Sequence, residues 1–259
     1  MSNTALITGA SLGIGATYAD RLAQRGHDLL LVARDTARLE ALARRLARES
    51  GRRVDILAAD LTDPAALRRV EARLRGDAAI GMLVNNAGMA VSGTLAEADP
   101  DQLERMVLLN ALAPMRLAAA AVPAFLARGG GTIINIASVL ALAPEQFNGV
   151  YSATKGFMLN LTQSMQTEAG DRLRIQAVLP GATRTEIWGR AGVDMDRMPA
   201  AVLMDVGEMV DAALAGLDMG EAVTIPALPE TADWDRFTAA RLAMGPNLSR
   251  DHAAARYRS

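Results

Sequence analysis

Apolar runs of a few residues recur along the chain, separated by longer stretches in which apolar positions return every three or four residues. The short runs predict strands at Thr4–Thr8, Asp28–Ala33, Arg53–Ala58, Gly81–Asn85, Gly131–Ala137, Arg174–Leu179 and Ala222–Pro226. Some scarcely alternate, as in Leu29-Leu30-Leu31-Val32-Ala33 and Ile133-Ile134-Asn135-Ile136. Strands covered on both faces read this way, and parallel sheets are covered on both faces. Between them lie amphipathic patterns. Leu39, Leu42, Ala43 and Leu46 form one stripe, with Arg38, Glu40, Arg44, Arg45 and Arg48 opposite. Asp35 and Asp63-Pro64 read as helix starts. Further helices are predicted over Leu103–Phe125, Tyr151–Ala169 and Asp233–Met244. Strand and helix alternating from end to end predict an α/β doubly wound parallel sheet of about seven strands, helices on both faces, in a single domain. The Met-rich Met195–Met209 reads as a short helical excursion above the sheet, and residues 229–259 as a C-terminal extension.

Composition narrows the chemistry. A net charge of -2 gives no basic stripe for nucleic acid. The absence of cysteine excludes disulfides, thiolate nucleophiles and Cys-ligated metals. His27 and His252 stand in no ligand spacing and read as surface residues, so no metal is expected. The chain enters its first strand without a signal-peptide pattern. The richest apolar stretch, Thr132 to Ala143, is too short for a membrane span. The expectation is a cytoplasmic protein.

Thr8-Gly9-Ala10-Ser11-Leu12-Gly13-Ile14-Gly15 follows the first strand and opens a helix. Glycines at such a junction let the backbone approach a pyrophosphate, which a helix N-terminus then favours. The spacing, Gly-x-x-x-Gly-x-Gly, predicts the loop of a Rossmann dinucleotide fold, though it is not the commoner Gly-x-Gly-x-x-Gly, and a glycine turn lacking any ligand is the alternative reading. An acid ending the second strand would bind the ribose of NAD. Asp28 lies at the wrong end, and Asp35 reads better as a helix cap. The strand instead ends Val32-Ala33-Arg34, where a guanidinium fork suits the 2′-phosphate of NADP. Asp60-Leu61, after the third strand, suits an adenine amine contact, with a turn cap as the competing reading for Asp60.

Tyr151-Ser152-Ala153-Thr154-Lys155 puts a phenol and an ammonium on one helix face. A nearby cation favours the phenolate, bringing a poor acid nearer the working pH. The spacing alone is common. Ser138, closing the fifth strand, gives it context, because ligands bind at the carboxyl edge of such sheets. Its hydroxyl could donate to a substrate carbonyl. Asn110, inside an apolar helical pattern, needs a hydrogen-bond partner and is equally well read as a structural buried amide.

Taken in order, these segments resemble the short-chain dehydrogenase/reductase family, in its smaller single-domain branch, from Thr4 to about Pro226. Asn85-Asn86-Ala87-Gly88 is similar to the family's segment that lines the cofactor, and Pro180-Gly181-Ala182-Thr183-Arg184-Thr185 to the one that holds the nicotinamide amide. The resemblance implies that Asn110, Ser138, Tyr151 and Lys155 act together. Tyr151 would be the general acid in reduction and base in oxidation. Lys155 would hold the nicotinamide ribose and lower the Tyr151 pKa, and Ser138 would polarise the carbonyl. Asn110 would anchor a water linking Lys155 to bulk proton exchange. Hydride would leave the pro-S face of NADPH. Cofactor contacts would come from Gly9, Ser11, Leu12, Gly13, Ile14, Arg34, Asp60, Leu61, Asn86, Ala87, Gly88, Tyr151, Lys155, Pro180, Gly181, Thr183 and Thr185. Residues 186–215 would cover the substrate, with Val139, Leu140, Phe147 and Trp188 lining an apolar pocket beside Ile187 and Met195. Arg184 or Arg190 could meet an anionic substrate, though solvation explains both. The implied activity is NADPH-dependent reduction of a hydrophobic ketone or aldehyde by a homodimer or homotetramer. The alternatives are an NAD-dependent alcohol dehydrogenase of the same fold and a non-catalytic dinucleotide-binding regulator.

Overall fold

A computed structural model describes residues 3–194 and 197–258. Seven parallel strands form one sheet: β1 (Thr4–Thr8), β2 (Asp28–Ala33), β3 (Val54–Ala58), β4 (Ile80–Asn85), β5 (Thr132–Ile136), β6 (Arg174–Val178) and β7 (Val223–Thr224), in the order β3-β2-β1-β4-β5-β6-β7. The order reverses between β1 and β4, which opens a crevice at the carboxyl ends of the strands. β7 is shorter than its apolar run. It pairs only Val223 with Ala177 and Thr224 with Val178, and Pro226 has no N–H to extend the ladder.

Helices cover both faces. α1 (Gly13–Gln24) and α2 (Thr36–Ser50) pack Tyr18, Leu22, Leu39 and Leu46 against one side of the sheet, and α3 (Pro64–Gly76) packs Leu67, Val70 and Leu74 against the other. Asp35 and Asp63 cap α2 and α3, accepting from the backbone N–H groups of Arg38 and Ala66 at 3.0 and 2.6 Å. Asp35 is therefore the helix cap that its position suggests.

The expected single helix after β4 is built in three parts. α4 (Pro100–Val107) runs into a π-helical turn at Leu108–Leu112 and then α5 (Ala113–Ala127). The whole stretch, Pro100–Ala127, is long and apolar enough to cross a membrane, with mean hydropathy 1.5 over its richest window. This corrects the expectation that no run approaches that length. Half of the window is buried, and α5 packs Leu117 and Phe125 into the core shared with α3, so its apolarity has a use inside the fold.

α6 (Gly149–Ala169) follows β5 after two short 3-10 turns, at Val139–Ala141 and Pro144–Gln146. Beyond β6 come α7 (Glu186–Arg190), a 3-10 turn at Ala200–Val202 and α8 (Val206–Met219). The Met-rich stretch is thus only partly an excursion. Met204 bridges to Thr183 as extended chain, and Met209 belongs to α8, a sheet-covering helix whose Val210 and Leu214 join the α1 and α2 core. The chain divides into two compact units, Met1–Pro226 and Ala227–Ser259, close to where the extension was expected to begin. The second unit carries α9 (Thr231–Ala243), in which Trp234 and Phe237 stack at 5.5 Å and no residue is buried.

Candidate active site

A cavity of about 790 Å³ lies over the carboxyl ends of the strands, in the unit Met1–Pro226. One wall is the glycine loop, with Gly9, Ser11, Leu12, Gly13 and Ile14 all lining it. Gly9 has φ +65° and sits so close to the β4 end that a Cβ would come 2.8 Å from the Ala87 Cα. Only glycine tolerates both demands. Thr8 ties this loop down. Its hydroxyl accepts the N–H groups of Asn86 and Ala87, both at 3.0 Å, and the Asn86 amide donates back to the Thr8 carbonyl at 2.9 Å. Leu12, the cap residue of α1, offers no side-chain acceptor, whereas Asp or Asn side chains cap α2, α3, α4, α6 and α8. The first-turn N–H groups of α1 are therefore left for an anion. This cradle fits a dinucleotide pyrophosphate.

At the far end of the glycine loop the cavity meets Ala33, Arg34, Asp60 and Leu61. Asp60 accepts from the Thr62 N–H and hydroxyl at 2.9 and 2.7 Å. Burial works against its charge, but these hydrogen bonds and the nearby Arg34 and Arg105 outweigh it and hold the carboxyl below its usual range. Arg105 and Gln102 of α4 also line this end. Neither is legible in the sequence, because nothing in the α4 pattern ties it to a phosphate loop.

Ser138, Tyr151, Lys155, Pro180, Gly181, Thr183 and Trp188 line the cavity near the ends of β5 and β6, and Thr185 lies against Gly13 of the glycine loop. Ser138 follows β5 and caps the first 3-10 turn, accepting the Leu140 N–H at 3.1 Å. Its hydroxyl donates to the Pro180 carbonyl at 3.4 Å, and the Ser138 side chain favours the charged form of the neighbouring Tyr151 phenol. Tyr151 stands in the first turn of α6, which Asn148 fixes. The Asn148 carbonyl oxygen accepts the N–H groups of Val150 and Tyr151 at 3.0 and 3.1 Å, and its amide donates to Gly93 at 2.8 Å. Asn148 is not among the expected site residues, although an Asn at the head of a helical pattern is an ordinary cap signal. Lys155, one turn on, donates to the Ile136 carbonyl at 2.9 Å and lies 5.6 Å from the Tyr151 ring centroid.

The electrostatics differ from the expectation that Lys155 lowers the Tyr151 pKa. Burial dominates. It pushes the Tyr151 phenol up to about 12, against a smaller lowering by the Ser138 hydrogen bond. The same burial brings the Lys155 ammonium down to about 8. Both groups are less than a tenth exposed, and the loss of water penalises whichever form is charged.

Asn110 does not line the cavity. It sits beneath it in the π-turn, 2 % exposed, with its amide oxygen accepting the Met89 N–H at 2.9 Å and its amide nitrogen donating to the Met89 carbonyl at 2.8 Å. A further 3.3 Å contact reaches the Thr154 hydroxyl, which donates to the Tyr151 carbonyl at 2.7 Å. These contacts are those of the structural amide that the sequence left open. Val139, Leu140 and Phe147 are not among the lining residues either. Leu140 is buried in a small core with Met106 and Tyr151, while Phe147 stacks between Tyr151 and Trp188. Ile187 does line the cavity. Met195 and the Arg190 side chain lie outside the described residues. Among the described residues no acidic or histidine cluster could hold a metal.

Comparisons with known proteins agree on the type of fold. The family model for short chain dehydrogenases matches residues 3–196. A short-chain dehydrogenase from Sphingobium yanoikuyae, solved in complex with NADPH, is 54% identical, with a TM-score of 0.96 over 98% of this chain and 99% of that one. The bulky-bulky ketone specific alcohol dehydrogenase from Comamonas testosteroni is 46% identical, with a TM-score of 0.92 over 99% of each chain. Human 17-beta-hydroxysteroid dehydrogenase type 3 is 33% identical over 71% of this chain, which spans only 60% of its length.

Proposed function

This chain belongs to the short chain dehydrogenase family, and from that membership we propose that it is an NADPH-dependent carbonyl reductase, reversibly an alcohol dehydrogenase, for ketones with two large apolar flanks. One observation carries the reading. Ser138, Tyr151 and Lys155 converge at one end of a cavity whose other end is a glycine loop and Arg34. The nicotinamide, when bound, supplies or takes the hydride. Everything else falls to the chain's own residues.

Ser138 donates a hydrogen bond to the substrate oxygen and holds it beside the Tyr151 hydroxyl. Tyr151, kept neutral by burial, gives its proton to that oxygen in reduction and takes it back in oxidation. Lys155, anchored on the Ile136 carbonyl, places a cation beside the phenol and the ribose position. Asn110 and Thr154 hold the Met89 loop and the Tyr151 backbone in register, which makes them positioning residues. Trp188 and Ile187 give the substrate end an apolar wall, and Phe147 supports it from behind. That wall, and the likeness to the Comamonas testosteroni enzyme, support ketones with two bulky groups. Exposed Val107, Leu112 and Phe157 support a homodimer or homotetramer. A cytoplasmic location suits an enzyme that draws on NADPH.

Steady-state rates over a panel of ketones with NADPH and NADH test the proposal. Aryl alkyl ketones with long flanks should be reduced faster than acetone, with kcat/KM at least tenfold higher for NADPH. Arg34→Asp should shift that ratio towards NADH. No turnover across the panel despite tight NADPH binding would leave a dinucleotide-binding protein that does no chemistry.

A further inference from the structure

We propose that Arg105 joins Arg34 in binding the adenosine 2′-phosphate of NADPH, so that two guanidiniums from distant parts of the chain set the cofactor preference. This rests on the NADPH reading above. Arg34 follows β2 and Arg105 stands on α4, yet both line the same end of the cavity, with Asp60 between them. The Asp60 Oδ2 lies 3.7 Å from the Arg34 Nη1 and 3.8 Å from the Arg105 Nη2. Those separations are too long for hydrogen bonds, so Asp60 attracts both cations without using their N–H donors. Its other oxygen is taken by Thr62.

Two cations around one carboxylate leave a net positive charge and two free donor forks. Both arginine side chains are more than half exposed, so an anion can reach them. A phosphate monoester suits such forks, because a guanidinium presents paired N–H groups to two oxygens at once. The neighbouring charges do not compete. Arg38 is engaged by Asp35 at 3.3 Å and by Glu186 at 3.4 Å. Asp35 itself, which would repel a phosphate, accepts the Arg38 N–H at the head of α2. Asp60 thus holds Arg105 at the adenosine end before any cofactor arrives.

Calorimetric dissociation constants for NADP⁺ and NAD⁺ test this without turnover, in wild type, Arg34→Leu, Arg105→Leu and the double variant. Arg105→Leu should weaken NADP⁺ by about tenfold, the size of one charge-assisted contact in solvent, and leave NAD⁺ within about twofold. The double variant should lose most of the discrimination. Thermal unfolding should be unchanged, since Arg105 is exposed. Equal weakening of both cofactors would make Arg105 a general adenosine contact and overturn the proposal, as would unchanged NADP⁺ binding. Wild type showing no preference for NADP⁺ would defeat the NADPH reading itself, and Arg105 with it. That result is visible before any variant is made.

Discussion

The rings of Phe147 and Tyr151 meet edge to face, with centroids 5.6 Å apart and planes at 87°. Trp188 meets Phe147 the same way, at 5.7 Å and 87°. The proposed acid is therefore held from the side by a ring that is itself held by a residue of the substrate wall. Such contacts contribute about 0.5–1.5 kcal/mol each beyond burial. Phe147→Ala should lower kcat by about two- to tenfold through misplacement of the phenol, with the NADP⁺ dissociation constant unchanged. An unchanged kcat would show that α6 alone fixes Tyr151.

Replacing Tyr151 by Phe keeps that stack and removes only the hydroxyl, and with it the transferable proton. Turnover should fall by roughly 10²–10⁴, the usual contribution of a positioned acid, while NADPH binding stays within about twofold. The pH profile follows from the raised phenol. With its pKa pushed up to about 12, Tyr151 is protonated throughout the neutral range. Reduction, which uses the protonated form, should hold its rate well above pH 7. Oxidation needs the phenolate and should climb with pH. A reduction rate that already falls near pH 7 would contradict the assignment.

The strands and the trio Ser138, Tyr151 and Lys155 were readable because each rests on local pattern. Leu29–Ala33, a short unbroken apolar run, reads as a strand covered on both faces, and Ser138 is placed once β5 is. The charge states were not readable. The spacing of Tyr151 and Lys155 suggests attraction, but burial of both sets their pKa values, and burial depends on the packing of Ile136, Gly88 and Leu140 around them. Asn110 shows the same limit. Its helical pattern is plain, but the π-turn that points its amide at Met89 has no signature in residue spacing. Arg105 meets Asp60 only in the tertiary fold, whereas the Asn148 cap is local and only its bond to Gly93 needs the fold.

Tyr18 is fully buried, its hydroxyl has no hydrogen-bond partner among the described residues, and burial drives its pKa far above the ordinary value. A buried, unpaired hydroxyl costs about 1–3 kcal/mol. Tyr18→Phe keeps the ring that fills the α1 core and removes that cost. Its unfolding midpoint should rise by about 2–4 °C per kcal/mol gained. A clear fall in calorimetric Tm would mean that the hydroxyl is satisfied after all.

Lys155 is a buried group of the opposite kind, one whose burial penalises its charge. Its folded pKa of about 8 lies below the ordinary 10.5, so the folded state resists the charge that the unfolded chain accepts. The unfolded state then binds more protons between pH 8 and 10.5, and stability rises with pH across that window. Below pH 8 the full penalty applies, roughly 3 kcal/mol at 1.36 kcal/mol per pKa unit. Lys155→Met removes the charge and also the hydrogen bond to Ile136, which offsets about 1 kcal/mol. Without cofactor, the variant should be more stable than wild type at pH 7 and lose that advantage by pH 10.5, while its NADPH turnover collapses. Urea denaturation at both pH values is the measurement, since effects of other titrating groups cancel in the difference. A stability difference independent of pH would show that Lys155 keeps an ordinary pKa and a hydrated ammonium.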